Sequence, residues 1–306
     1  YRVVKSALGS WFAKVSVSAL VFDYILTGPI SSVSGGQYLA GLLNDTFRTY
    51  GINIQFDRHI FSMVVAIIIV IYFWWENIKG MEESSSKALK IFIITAVMGI
   101  LVLSWGVITL LMKNEPFFTH FPPMKIELSK EAFGWLEEVD WVKSIGLISV
   151  LIAFGHSLLA LSGLETLGQV YREVEYPKLK NFKKTALIIF FFSVMLTPGV
   201  SFLGTMLIPD NVRPQYLDNL IGGIAMYLIG PHWLNLVFQA FVVIVGVLIL
   251  SGAVNTSIVG ANSVLNRVAE DKVLTEWFRK PHQKFGTTYR ILNLIALLQI
   301  ATILLS

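Results

Sequence analysis

The stretch WLNLVFQAFVVIVGVLILSGAV, residues 233–254, decides the fold class. It runs for 22 residues without a charged side chain. A helix needs about 20 consecutive apolar residues to cross a hydrocarbon core. In lipid only a helix or a closed barrel satisfies its own backbone. The stretch is therefore read as a transmembrane helix.

Six further runs meet or approach that length: 12–43, 60–75, 88–112, 145–170, 186–208 and 291–305. The 233–254 run has a polar continuation to 264. A shorter apolar stretch at 220–229 holds Gly222, Gly223 and Gly230, and reads as a short interfacial or re-entrant helix. About seven spans predict an all-α polytopic bundle, a single transmembrane domain over 1–306. The composition agrees. The chain is 55% hydrophobic and only 14% charged, against about 25% charged in a soluble domain. It contains no Cys, which excludes disulfides and thiolate metal sites. It opens on Tyr1 and closes at Ser306 inside an apolar run. An internal piece of a longer protein is expected.

Lys and Arg orient the spans. With the N-terminus in the cytoplasm, segments 1–14, 76–90, 172–184 and 266–290 are inside and hold 17 of the 24 basic residues. Positive charge collects on the cytoplasmic side, so this orientation is the expected one in the cytoplasmic membrane. The loop 113–143 is then extracytoplasmic. It carries Trp135, Trp141 and a cluster of Glu127, Glu131, Glu137, Glu138 and Asp140. It reads as a solvated connector or, over 129–139, as an amphipathic surface helix. The loops 172–184 and 266–290 are cytoplasmic. Lys178, Lys180, Lys183 and Lys184 mark topology and suit contact with anionic lipid. No aromatic stacking platform accompanies them, so no nucleic-acid role is expected.

Two carboxylates fall inside the spans, Asp23 and Glu165. An unpaired charge at the bilayer centre costs about 3 kcal/mol on insertion scales, and such residues usually face a cavity and bind or relay something. The plainer alternative is a helix-to-helix hydrogen bond. Asp23, Thr27 and Ser31 recur every four residues and share one helix face. Pro29 has no N–H and crowds the carbonyl of Ile25. The face offers a carboxylate, hydroxyls and a carbonyl, hard oxygen ligands that suit a cation. Helix packing with back-bonded hydroxyls is the alternative for Thr27 and Ser31. In the fourth span, Gly155, Gly163 and Gly168 with Ser162 and Thr166 weaken the helix beside Glu165. Discontinuous helices of this kind hold ions and substrate groups in transporters. A small-residue contact face is the alternative reading. His156 is not assigned. Asn255 and Thr256 supply further oxygens, for cavity lining or inter-helix bonding alike.

The segment Ser162-Gly163-Leu164-Glu165-Thr166, followed by Arg172-Glu173-Val174-Glu175-Tyr176-Pro177, resembles the sixth helix and following loop of the amino acid–polyamine–organocation (APC) superfamily. Asp23-Tyr24-Ile25-Leu26-Thr27 resembles its third helix. Asn255-Thr256 and Leu265-Asn266-Arg267-Val268-Ala269-Glu270-Asp271 resemble its eighth helix and exit loop. The ordered match spans nearly the whole chain. The resemblance implies a partial five-plus-five inverted-repeat transporter fold, with helices three to nine present and the first, second and tenth absent. It implies a central site between the first, third, sixth and eighth helices.

On this resemblance the expected function is secondary active transport of a small solute, an amino acid, coupled to a cation or proton. The binding set would be Asp23, Thr27, Ser31, Ser162, Gly163, Glu165, Asn255 and Thr256. A monovalent cation, Na+ or K+, would sit at Asp23, Thr27 and Glu165, or these carboxylates would exchange H+. The alternative is a potassium–proton symporter using the same carboxylates, since the potassium-importing branch carries a similar Asp-Tyr-x-Leu-Thr. Both Gly28-Pro29 and the loop at 172–177 depart from that branch. The fifth-helix Lys of some proton-linked members has no counterpart near Thr95. An intramembrane enzyme is not expected, because no nucleophile–base pair or metal motif occurs in a span. The expected partners are the solute and the bilayer, and a homodimer is one assembly the sequence allows.

Overall fold

A computed structural model describes residues 2–80, 85–113, 151, 154, 174–271 and 274–305. The fourth expected span, 145–170, lies almost wholly outside the described residues. So do Ser162, Gly163 and Glu165, and nearly all of the loop 113–143. Two compact units are formed, one from residues 1–112 with 191–306 and the other from 113–190.

The described residues are helical and contain no strand. In chain order the helices are α1 (Arg2–Thr49), α2 (Arg58–Ile78), α3 (Ser85–Met112), α4 (Lys178–Leu207), α5 (Leu220–Met226), α6 (His232–Glu270) and α7 (Tyr289–Leu305). Short 3-10 turns at Arg213–Asn219 and Glu276–Arg279 precede α5 and α7. Five helices, α1, α2, α3, α4 and α6, are long and apolar enough to cross a membrane, and α7 is shorter. Six of the seven expected apolar runs are thus helices, and 220–226 is the short helix expected within 220–229.

The helices overrun their apolar runs. α4 begins at Lys178, eight residues before the run at 186, and α1 continues to Thr49. Lys and polar residues extend a helix into the headgroup region because their heads reach water while their stems stay apolar. α1 is interrupted at Gly9, whose φ of 88° is a conformation that favours glycine.

α2 illustrates how the bundle is organised. Ile60, Val64, Ile68, Ile71 and Trp75 form an exposed stripe at helical spacing. The opposite face buries Ser62, Ala66 and Val70. Large apolar residues point outward and small ones inward. That is the inverse of a soluble helix, and lipid makes it stable, since helix association in a bilayer rests on close packing rather than on apolar burial.

Within the larger unit, one apolar core joins α1, α2, α6 and α7 through Tyr24, Val70, Ile258, Ile291, Ile295 and Ile303. A second joins α3, the later half of α4, α5 and α6 through Val102, Leu203, Ile224, Phe238 and Val242. α6 belongs to both.

The α1–α6 contact has a strict register. Gly260 lies against the Tyr24 ring, where an added Cβ would approach to 2.7 Å. Gly246 lies against the Tyr38 ring, with the corresponding approach at 2.9 Å. Gln239 donates to Asp45 at 2.7 Å. These α1 positions, with Ser31, are spaced every seven residues, and so are 260, 253, 246 and 239 in reverse. The helices are antiparallel and share a seven-residue repeat, the spacing of a left-handed supercoil. Aromatic rings on one helix fill the gaps left by glycine on the other.

Candidate functional site

The candidate site begins where α1 is weakest. Pro29 sits inside α1 and cannot donate to the carbonyl one turn earlier. Ser32, fully buried, donates its hydroxyl to the Gly28 and Pro29 carbonyls at 2.9 and 3.0 Å. Back-bonding of this kind tends to bend a helix, here at the turn that the proline already loosens. Gly28 leaves room for the side chain of Gln299 from α7, which an added Cβ would overlap.

Gln299 is fully buried. Its Nε2 donates to the Tyr24 carbonyl at 3.3 Å and to Ser257 Oγ at 3.0 Å. Ser257 in turn donates to the Val254 carbonyl at 2.7 Å. One amide therefore ties α7 to both α1 and α6 beside the proline. Its Oε1 has no hydrogen-bond partner.

Asp23 and Thr27 lie next to this node on α1, and both are half-buried. Each takes part in an interaction, so neither is an isolated polar group. Ser31 is buried on the register that faces α6. The three residues share α1, but Ser31 is turned into the helix contact while Asp23 and Thr27 remain partly accessible.

The two residues expected from α6 separate. Asn255 is buried and accepts from Asn77 Nδ2 of α2 at 2.7 Å. Thr256 is exposed on the other side and donates to the Gly252 carbonyl of its own helix at 3.0 Å. The expected cation set of Asp23, Thr27 and Glu165 is described only for its α1 members. Thr95 is buried and donates to the Ile91 carbonyl at 2.7 Å.

A second polar node lies at the Thr49 end of α1, in a stretch that hydropathy alone assigns to a loop. Asp45 is buried. Its Oδ2 accepts from Gln239 Nε2 at 2.7 Å, and its Oδ1 from Arg48 at 3.2 Å. Gln239 is fully buried, and its Oε1 also has no partner. Tyr216 of the 3-10 turn lies above. Burial first, then the Asp45 charge, push its phenol up from the usual value, and Arg48 opposes the shift. Asn219 caps α5 by accepting from the Gly222 N–H at 3.0 Å. Arg58 of α2 donates to the Gln215 carbonyl at 2.7 Å.

Sequence reasoning missed Gln299, Gln239 and Asp45. The first two were visible as amides inside apolar runs, Gln239 with Asn235 and Gln299 with Asn293. Asp45 was hidden by Asn44 and Thr46, which make its neighbourhood look like a loop.

What the arrangement offers is a half-buried carboxylate and hydroxyl on a proline-containing helix, beside the buried Gln299 amide of α7. A search of curated proteins found no match. The family described as "Amino acid permease" matches residues 1–306, the full length of the sequence. The chain therefore belongs to the amino acid permease family, transporters and not enzymes, within the APC superfamily its motifs resemble.

Proposed function

We propose that the chain is the core of a secondary active transporter that carries an amino acid across the cytoplasmic membrane by alternating access, driven by a cation or proton. The observation that carries this reading is the family match over the full sequence, together with Asp23 and Thr27 half-buried one turn apart beside Pro29. Intramembrane carboxylates mark solute and ion pathways. In this reading Asp23 and Glu165 bind the coupling ion or exchange protons, and Thr27 and Ser162 supply neutral oxygens. The N-terminal end of α1 faces the cytoplasm, and its Thr49 end faces out.

The test is uptake of labelled amino acids into proteoliposomes holding the full-length protein, under imposed Na+, K+ or proton gradients. One gradient should accelerate uptake of at least one amino acid. Asp23→Asn and Glu165→Gln should each abolish the accelerated component while leaving insertion intact. Rubidium uptake without any amino acid uptake would replace this reading with the potassium–proton symporter.

A further inference from the structure

The first two turns of α4 carry a charge pattern that an isolated helix would avoid. Lys178, Lys180, Lys183 and Lys184 fall within its first seven residues, and its first turn has no acid. The N-terminal end of a helix is its positive end, where anions are stabilising and cations are not. Lys180 and Lys184 are also four residues apart, where like charges repel across one turn. Within 174–190 the four lysines are set against one carboxylate, Glu175.

The structure divides the four. Lys178 is half-buried, and its ammonium lies 5.3 Å from the centre of the Tyr176 ring. Lys180, Lys183 and Lys184 are exposed. Among the described residues none of these three forms an ion pair or a hydrogen bond. Their direction follows from helical spacing. Lys180 stands two turns before Leu187, Lys183 two turns before Phe190, and Lys184 one turn before Ile188, so each shares a face with the residue it precedes. Leu187, Ile188 and Phe190 are all exposed. On a helix long and apolar enough to cross a membrane, such a face meets acyl chains. Charge that served topology alone could stand anywhere along 172–184; these lysines continue the lipid-facing surface into the headgroup layer. Tyr176, exposed at the same end, is an aromatic residue of the kind enriched at that depth.

We propose that Lys180, Lys183 and Lys184 form a binding site for the headgroup of an anionic phospholipid, in the leaflet at the Lys178 end of α4. The lipid phosphate supplies the negative charge that the start of the helix lacks, and the acyl chains lie along Leu187 and Phe190. A soluble anion would match the charge but not the apolar stripe that continues from it. In the proposed topology this leaflet is the cytoplasmic one. The site rests on α4 spanning the bilayer, not on the orientation or on which solute is carried.

Native mass spectrometry of the full-length permease, released from detergent micelles, tests it. Dioleoylphosphatidylglycerol and dioleoylphosphatidylcholine are titrated separately, and the Kd of the first bound lipid is read for each. Phosphatidylglycerol should bind more tightly. A lysine near an anionic membrane surface is worth roughly a fivefold factor. The phosphatidylglycerol Kd should therefore rise about thirtyfold in Lys180→Gln with Lys184→Gln, while the phosphatidylcholine Kd is unchanged. Lys180→Arg with Lys184→Arg should bind as wild type does. Lys280→Gln with Lys284→Gln removes two exposed charges from the loop 266–290 and should alter neither Kd. Equal affinity for the two lipids, an unchanged Kd in the Lys180 and Lys184 glutamine variant, an equal loss in the Lys280 and Lys284 variant, or weak binding by the arginine variant would each overturn the proposal. So would displacement of phosphatidylglycerol by excess inorganic phosphate, which would make the occupant a soluble anion. Lipid binding requires no transport, so the result stands apart from the amino acid assignment.

Discussion

Gln239 and Gln299 are the same residue in nearly the same circumstances. Both are fully buried, both donate Nε2 into α1, and both leave Oε1 without a partner. They differ in what they hold. Gln299 holds a backbone carbonyl and a hydroxyl, groups that do not change charge. Gln239 holds a carboxylate, an acceptor that is costlier to leave unanswered when buried. The first amide joins neutral groups beside the proline, and the second answers an acid. Burial alone does not set what an amide contributes; the chemistry of its partner does.

The largest expected effect separates them directly. Gln239→Leu leaves the buried Asp45 carboxylate without its short donor. Hydrogen bonds to charged groups are worth about 1.5–3 kcal/mol, so a loss near the top of that range is expected in thermal unfolding. Replacing both partners by apolar groups of similar shape is nearly neutral. The double variant Asp45→Leu with Gln239→Leu should therefore recover most of the loss. If the double variant is no more stable than the single one, the two side chains are not coupled and the contrast drawn above fails.

The next effect sharpens the structural side. Gly28→Ala places a methyl group in the space of the Gln299 amide. Overpacking of this kind costs typically 1–3 kcal/mol, about 2 here, read as a lowered Tm. Shortening the intruding side chain with Gln299→Ala should restore part of it. An unaltered Tm for Gly28→Ala would mean the amide moves aside freely and does not brace the turn. A smaller effect follows for Gln299→Leu alone. It removes two neutral hydrogen bonds but also removes a stranded acceptor, so the net cost should stay below about 1 kcal/mol. A cost matching that of Gln239→Leu would make the two amides equivalent.

The bundle was largely legible in the sequence because lipid imposes length and apolarity on every span. The candidate site was legible only in part. The four-residue spacing of Asp23, Thr27 and Ser31 put them on one face, yet Ser31 turns toward α6 while the other two stay half-buried. Their expected partner Glu165 falls outside the described residues. The α1–α6 register was not readable. Tyr24, Ser31, Tyr38 and Asp45 do not look like an apolar seam, and the matching positions are Gly260, Ala253, Gly246 and Gln239. The pairing rests on large rings meeting absent side chains, which hydrophobic periodicity does not record. Asp45 was lost for a related reason. A helix end rich in polar residues resembles a loop until a buried partner such as Gln239 is seen opposite it.

Asn255 and Thr256 give the smallest expected difference and the finest test of where the solute path lies. The two are adjacent, so α6 points them about 100° apart. Asn255 meets Asn77 inside the bundle, whereas the Thr256 hydroxyl is exposed and spent on its own helix. Thr256→Val keeps the branched shape and deletes only that internal bond. Stability should change by no more than about 0.5 kcal/mol, as for most surface substitutions, and amino acid uptake should match wild type. Loss of uptake in a stable Thr256→Val protein would show that the exposed face of α6 lines the path.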